Sequence, residues 1–122
     1  MKKKITALVM AAAMCLSVAA CGSSDNGGSG DTAKDTYTVG ICQLVQHQAL
    51  DAATQGFKDA LKEELGDKVE FVEQNAANDI PTCGTICNGF VSDGVDLILA
   101  NATPALQAAT AATQSIPILG TA

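Results

Sequence analysis

The sequence contains no arginine and no tryptophan, and only one histidine, one tyrosine and three phenylalanines. Without arginine, and with a formal charge of −6 over 122 residues, there is no basic face to neutralise phosphates, so nucleic-acid binding is excluded. Past residue 20 no stretch is apolar for the roughly 20 residues that a membrane-spanning helix needs. Three motifs are also missing: a G-x-S-x-G elbow, a G-x-x-x-x-G-K-[ST] phosphate loop and a G-x-G-x-x-G fingerprint. Carboxylates do not pair at the loop tips. The five cysteines lack C-x-x-C spacing, so neither catalytic residues, nor a cofactor, nor a metal site is expected.

What is present begins with an address. Lys2, Lys3 and Lys4 precede an apolar run from Ile5 to Ala20, the charge-then-apolar pattern of an export signal. The run closes on Ser17-Val18-Ala19-Ala20-Cys21, which resembles a lipobox and makes residues 1–20 a lipoprotein signal peptide with Cys21 as the lipidated residue. The alternative is an ordinary secretory signal with an incidental cysteine. Acyl chains on Cys21 would hold the chain firmly on a membrane, at about 0.8 kcal/mol per buried CH₂. Residues 21–35, rich in Gly, Ser and Asp, cannot bury a core and read as a tether of roughly 20 Å. Four lysines then face thirteen acids, giving an acidic body on the outer side of a cell membrane.

Residues 36–122 alternate strand and helix. Tyr37–Val45 is β-branched and apolar, and reads as a buried strand. Leu50, Ala53, Phe57, Ala60, Leu61 and Leu65 then form a helical stripe across residues 49–65, which Gly66 ends. Lys68–Gln74 alternates as an edge strand. Cys83, Ile86, Cys87, Phe90 and Val91 line one face of a helix opened by Pro81 and closed by Gly94. Residues 95–100 form a central strand, Thr103 caps a helix with Pro104 in its first turn, and a fourth strand starts near Ile116. Short connections in the order β-α-β-α-β-α-β predict an α/β fold with a parallel sheet and flanking helices, and the edge character of strand 2 with the central character of strand 3 gives the order 2-1-3-4.

In such a sheet ligands sit beyond the carboxyl ends of the strands, where the winding direction switches between strands 1 and 3. The residues predicted there are Gln43, Gln46, His47 and Leu50 on one side, with Asn101 and Thr103 on the other. Asn75 and Thr121 stand at the ends of the flanking strands. The Gln, His, Asn and Thr side chains among them hydrogen-bond a small polar solute without attacking it. Thr103 can either cap its helix or turn its hydroxyl to a ligand, and His47 reads as a ligand contact, a solvated loop residue or, with Asp51 one turn on, a general base. Asp51 itself suits either the helix dipole or a ligand's ammonium group. Cys83 and Cys87, one helical turn apart, are too far apart for an unstrained disulfide. With Cys42 they read as small buried hydrophobes, a three-thiolate metal site being the alternative.

These stretches resemble a known family. Val39-Gly40-Ile41-Cys42-Gln43-Leu44-Val45-Gln46-His47-Gln48-Ala49-Leu50-Asp51-Ala52, Gln74-Asn75-Ala76, Asp96–Ala100 and Thr103-Pro104-Ala105 are similar to solute-binding lipoproteins of ABC importers. The likeness is to the group with a type I periplasmic-binding fold that includes tryptophan- and tyrosine-binding members. Gln48 stands where relatives often have proline, and Cys83 and Cys87 depart from the pattern. The resemblance implies residues 36–122 as a partial first lobe, with a second lobe needed to close over one solute. It also implies a small polar solute such as an amino acid, an ABC permease in the membrane as partner, a monomeric complete protein, and no chemistry. A truncated lobe is expected to bind weakly and to aggregate. The readings from other classes are a membrane-anchored α/β enzyme of flavodoxin-like topology and a sensor lobe that presents its ligand to a receptor.

Overall fold

The computed structural model describes residues 34–121, so the signal peptide, Cys21 and all but the end of the tether lie outside the described residues. Four strands and three α-helices alternate: β1 (Tyr37–Gln43), α1 (Gln48–Leu65), β2 (Val69–Asn75), α2 (Ile80–Asp93), β3 (Leu97–Asn101), α3 (Thr103–Ala112) and β4 (Ile118–Thr121). All pairings are parallel and the order is β2-β1-β3-β4, as the sequence pattern predicts. Winding reverses between β1 and β3.

Each helix is delimited by local chemistry. His47, in extended conformation, accepts the Ala49 N–H on its Nδ1 at 3.2 Å and caps α1, which ends at Gly66 with φ 57°. Asp79 caps α2 by accepting the Thr82 N–H at 2.9 Å, and Gly94 stops it in the left-handed region at φ 67°. The strand ends differ from the sequence reading by a few residues. β1 ends at Gln43, whose amide donates to the Val45 carbonyl at 2.9 Å, while Leu44 still donates its N–H to the Asn101 carbonyl.

One expectation is overturned. Thr103 does not cap α3: it lies inside the first turn, exposed, and the residue before the helix is Ala102, with no side-chain cap. Ala102 has φ 93° and ψ 154°, a region that ordinarily admits only glycine and costs of order 1–3 kcal/mol. Two backbone bonds hold it there: its N–H donates to the Thr121 carbonyl at 2.9 Å, and its carbonyl accepts the Leu106 N–H at 3.1 Å.

Because parallel strands in register present alternate residues to opposite faces, the sheet has two cores. On one face α1 covers Val39, Ile41, Val69 and Leu99 with Phe57, Leu61 and Leu65. On the other, α2 and α3 bury Cys42, Ile98 and Ala100 beneath Phe90, Ile86, Cys83, Cys87, Ala105 and Ala109. Gly40 is where the second face is tightest. A Cβ there would meet the Phe90 ring at 2.7 Å, so only glycine admits the ring. Ala53 and Ala60, expected on the buried stripe of α1, are exposed, and Thr54 is buried instead.

Cys42, Cys83 and Cys87 are free and fully buried. The neighbouring Cys87 thiol, together with burial, pushes the Cys42 thiol far above the ordinary range; the nearness of Cys42 draws Cys87 down, and burial raises Cys83. Among the described residues no group of three His, Cys, Asp or Glu side chains is placed to hold a metal ion, and the three thiols pack with Ile86, Phe90 and Ala105 in the core of this face.

Candidate functional site

Parallel register brings four of the predicted residues into one row. Asn75, Gln43, Asn101 and Thr121 are successive Cα partners across β2, β1, β3 and β4, each at the carboxyl end of its strand. The ladder continues past them at backbone level. Ala76 N–H donates to Gln43 O at 2.8 Å, Asn78 N–H to Leu44 O at 2.8 Å and Leu44 N–H to Asn101 O at 3.2 Å. The loops that follow β1 and β3, with Gln46, His47 and Thr103, therefore rise from one rim at the switch point.

The middle of the row is buried and fully bonded. Gln43 is 3% exposed and Asn101 is not exposed at all. The Gln43 Nε2 donates to Val45 O at 2.9 Å and to Asp51 Oδ1 at 2.6 Å, which uses both of its hydrogens. Asn101 Nδ2 donates to the Leu50 carbonyl at 2.8 Å and to Thr54 Oγ1 at 2.9 Å, which uses both of its own. Thr54 in turn donates to Gln43 Oε1 at 2.8 Å, and Thr121 donates to Asn101 Oδ1 at 2.8 Å. No buried side-chain polar atom is left without a partner among the described residues. A solute at this rim can take a donor from Gln43 or Asn101 only by breaking one of these bonds.

The other predicted residues stand around that centre. Gln46, His47, Asn75 and Thr103 are exposed, while Leu50 and Thr121 are half-buried. Asn75 Oδ1 accepts the Ala77 N–H at 2.8 Å and shapes its own turn, in which Ala77 and Asn78 take φ of 51° and 63°. His47 carries the cap described above and forms no pair with Asp51, whose Oδ1 holds Gln43 instead. Thr54 is the residue that sequence reasoning missed. An open hollow of about 390 Å³, lined by Lys62, Gly66, Asp67 and Val69, lies at the opposite rim, far from these groups.

Among the described residues, the rim at the switch point is built of amides and hydroxyls. Residues 38–122 match the model of the ABC transporter substrate binding protein family, and the chain belongs to that family. The family is extracytoplasmic and non-enzymatic, which sets aside the reading as an α/β enzyme.

Among particular relatives, the chain is 41% identical to a tyrosine-binding protein of Clostridioides difficile (strain R20291), over 98% of this chain and 37% of that protein. Solved structures agree with the fold. The ligand-free, open form of a substrate-binding protein with adhesive properties from Clostridium difficile matches at 46% identity and a TM-score of 0.67. An ABC domain from Streptococcus pneumonia in complex with L-Trp matches at 33% identity and a TM-score of 0.66. Both structures cover 70% of this chain, which covers 30% of each. The chain thus spans about a third of the length of the relatives it matches.

Proposed function

We propose that this chain forms one wall of an amino-acid site in an ABC importer's solute-binding protein, with an aromatic amino acid such as tyrosine or tryptophan as solute. The observation that carries the reading is the in-register polar row at the switch point, in a chain that is 41% and 33% identical to a tyrosine-binding protein and to an L-Trp complex. Within that reading Gln46, His47, Leu50, Asn75, Thr103 and Thr121 face the solute, and Gln43 and Asn101 hold the wall in shape. Lipidation at Cys21 tethers the protein to the outer face of the membrane, and the loaded protein delivers its solute to a membrane permease. The four described aromatic side chains, Tyr37, Phe57, Phe71 and Phe90, belong to the strands and helix interiors, so stacking on an aromatic solute falls to parts of the protein beyond this wall.

The experiment is a titration of the ¹⁵N-labelled chain with L-tryptophan, L-tyrosine and, as a control, glucose. Weak binding of the two amino acids is expected, with shifts confined to the loops after β1, β2 and β3. Shifts centred on Lys62 and Asp67, or equal responses to glucose, would overturn the reading. Lipidation is checked separately by the mass of the membrane-bound protein, which Cys21→Ser should return to the aqueous fraction.

A further inference from the structure

We infer that Thr54 is the positioning residue of the rim: its single hydroxyl ties the Gln43 amide to the Asn101 amide, so that each holds the other in place. The faces of the amides are set by groups that can only accept, since both Gln43 N–H groups go to Val45 O and Asp51 Oδ1 and one Asn101 N–H goes to the Leu50 carbonyl. That leaves Gln43 Oε1 needing a donor and the second Asn101 N–H needing an acceptor, and the Thr54 hydroxyl is both: it gives its one hydrogen to Gln43 Oε1 and receives one from Asn101 Nδ2. Asn101 Oδ1 then accepts from Thr121. The Asp51 carboxylate and the Thr121 hydroxyl, at the two ends of this run of bonds, are therefore linked through a side chain 3% exposed within α1.

Removing that hydroxyl unties both amides. Gln43 Oε1 loses its donor and one Asn101 N–H loses its acceptor, both of them buried, so each amide is held from one side only. Valine fills the volume of threonine without the hydroxyl, whereas serine keeps the hydroxyl and loses only a methyl group, so the two variants separate shape from bonding.

As far as affinity is concerned, this inference rests on the amino-acid reading above; the orientation of the amides does not. The test uses the full chain with Thr54→Val and Thr54→Ser, L-tryptophan as probe, and side-chain amide resonances of Gln43 and Asn101. In the parent and in Thr54→Ser, both NH₂ pairs are expected to be sharp and well dispersed, with affinities within about threefold of each other. In Thr54→Val the pairs should broaden or move towards solvent-averaged positions, and affinity should fall about tenfold or more at temperatures where the variant remains folded. Unchanged amide resonances in Thr54→Val would overturn the inference. So would equal loss of affinity in both variants, since a purely structural threonine would not be rescued by serine. If the parent binds neither amino acid, the solute reading fails and the amide resonances alone decide the role of Thr54.

Discussion

The two faces of the sheet are built on different principles. Beneath α2 and α3 the contact is shape: Phe90 lies against a glycine, and three thiols fill the gaps around it. Beneath α1 the lower part of the face is apolar in the same way, but its upper end changes to a polar mesh of Gln43, Thr54, Asn101 and Thr121. The difference teaches where specificity can reside. A packed apolar face holds its position by excluding volume and tolerates any group that fits, whereas a closed hydrogen-bond mesh holds individual atoms at fixed bearings.

Substitutions can break this contrast face by face. The largest effect is expected at Gly40→Ala, where the new methyl group would overlap the Phe90 ring. A loss of about 3 kcal/mol in urea unfolding is expected, partly recovered when Phe90→Leu is added, because the damage is steric. Recovery would show that volume governs that face; failure to recover would place the cause elsewhere. Next is Asn101→Ala, which removes the donor to the Leu50 carbonyl and to Thr54 and leaves the Thr121 hydroxyl without its acceptor, at about 2 kcal/mol. Combined with Thr54→Val, the losses should be non-additive by about 1 kcal/mol, whereas additive losses would show that the mesh is no single unit.

The smallest effect lies outside both cores, at the amino rim. Lys34 pairs with Asp96, which also accepts the Thr38 N–H at 2.9 Å, and these two contacts hold its carboxyl below the usual carboxylate range. A lowered folded pKa contributes stability above the unfolded value near 3.8 that is lost as pH falls through the folded value. The parent should therefore lose more stability than Asp96→Asn as pH falls below about 3.8, read from urea midpoints. The exposed Lys34 keeps the difference small. Parallel curves would remove the ion pair from the account.

Much of this was legible in the residue pattern. Period-two and period-3.6 apolar spacing, with Gly66 and Gly94 as stops, gives the elements; short connections give parallel pairing, and the alternating strand 2 against the apolar strand 3 gives the order. The row at the rim was legible because polar residues end each apolar strand. Thr54 was not, because alanine is silent in a hydrophobic stripe. Leu50, Phe57, Leu61 and Leu65 fit equally a stripe through Ala53 and Ala60 or one through Thr54, and only the partners on β1 and β3 decide between them. The start of α3 was misjudged for a related reason. The bonds that hold Ala102 in a region reserved for glycine come from β4 and from within α3, and no local signal in Asn101-Ala102-Thr103 announces them.

The sheet's two outer borders are also unequal. β2 ends the sheet on one side and carries Glu70 and Glu73, one on each face, so a second copy approaching edge-on meets carboxylates above and below. β4 ends it on the other side with Ile118, Leu119, Gly120 and Thr121, none of them charged, and with Leu119 49% exposed. Charged side chains therefore guard one border, where Glu73 also pairs with Lys58, and leave the other without such a guard, so an approaching strand meets less resistance beside β4.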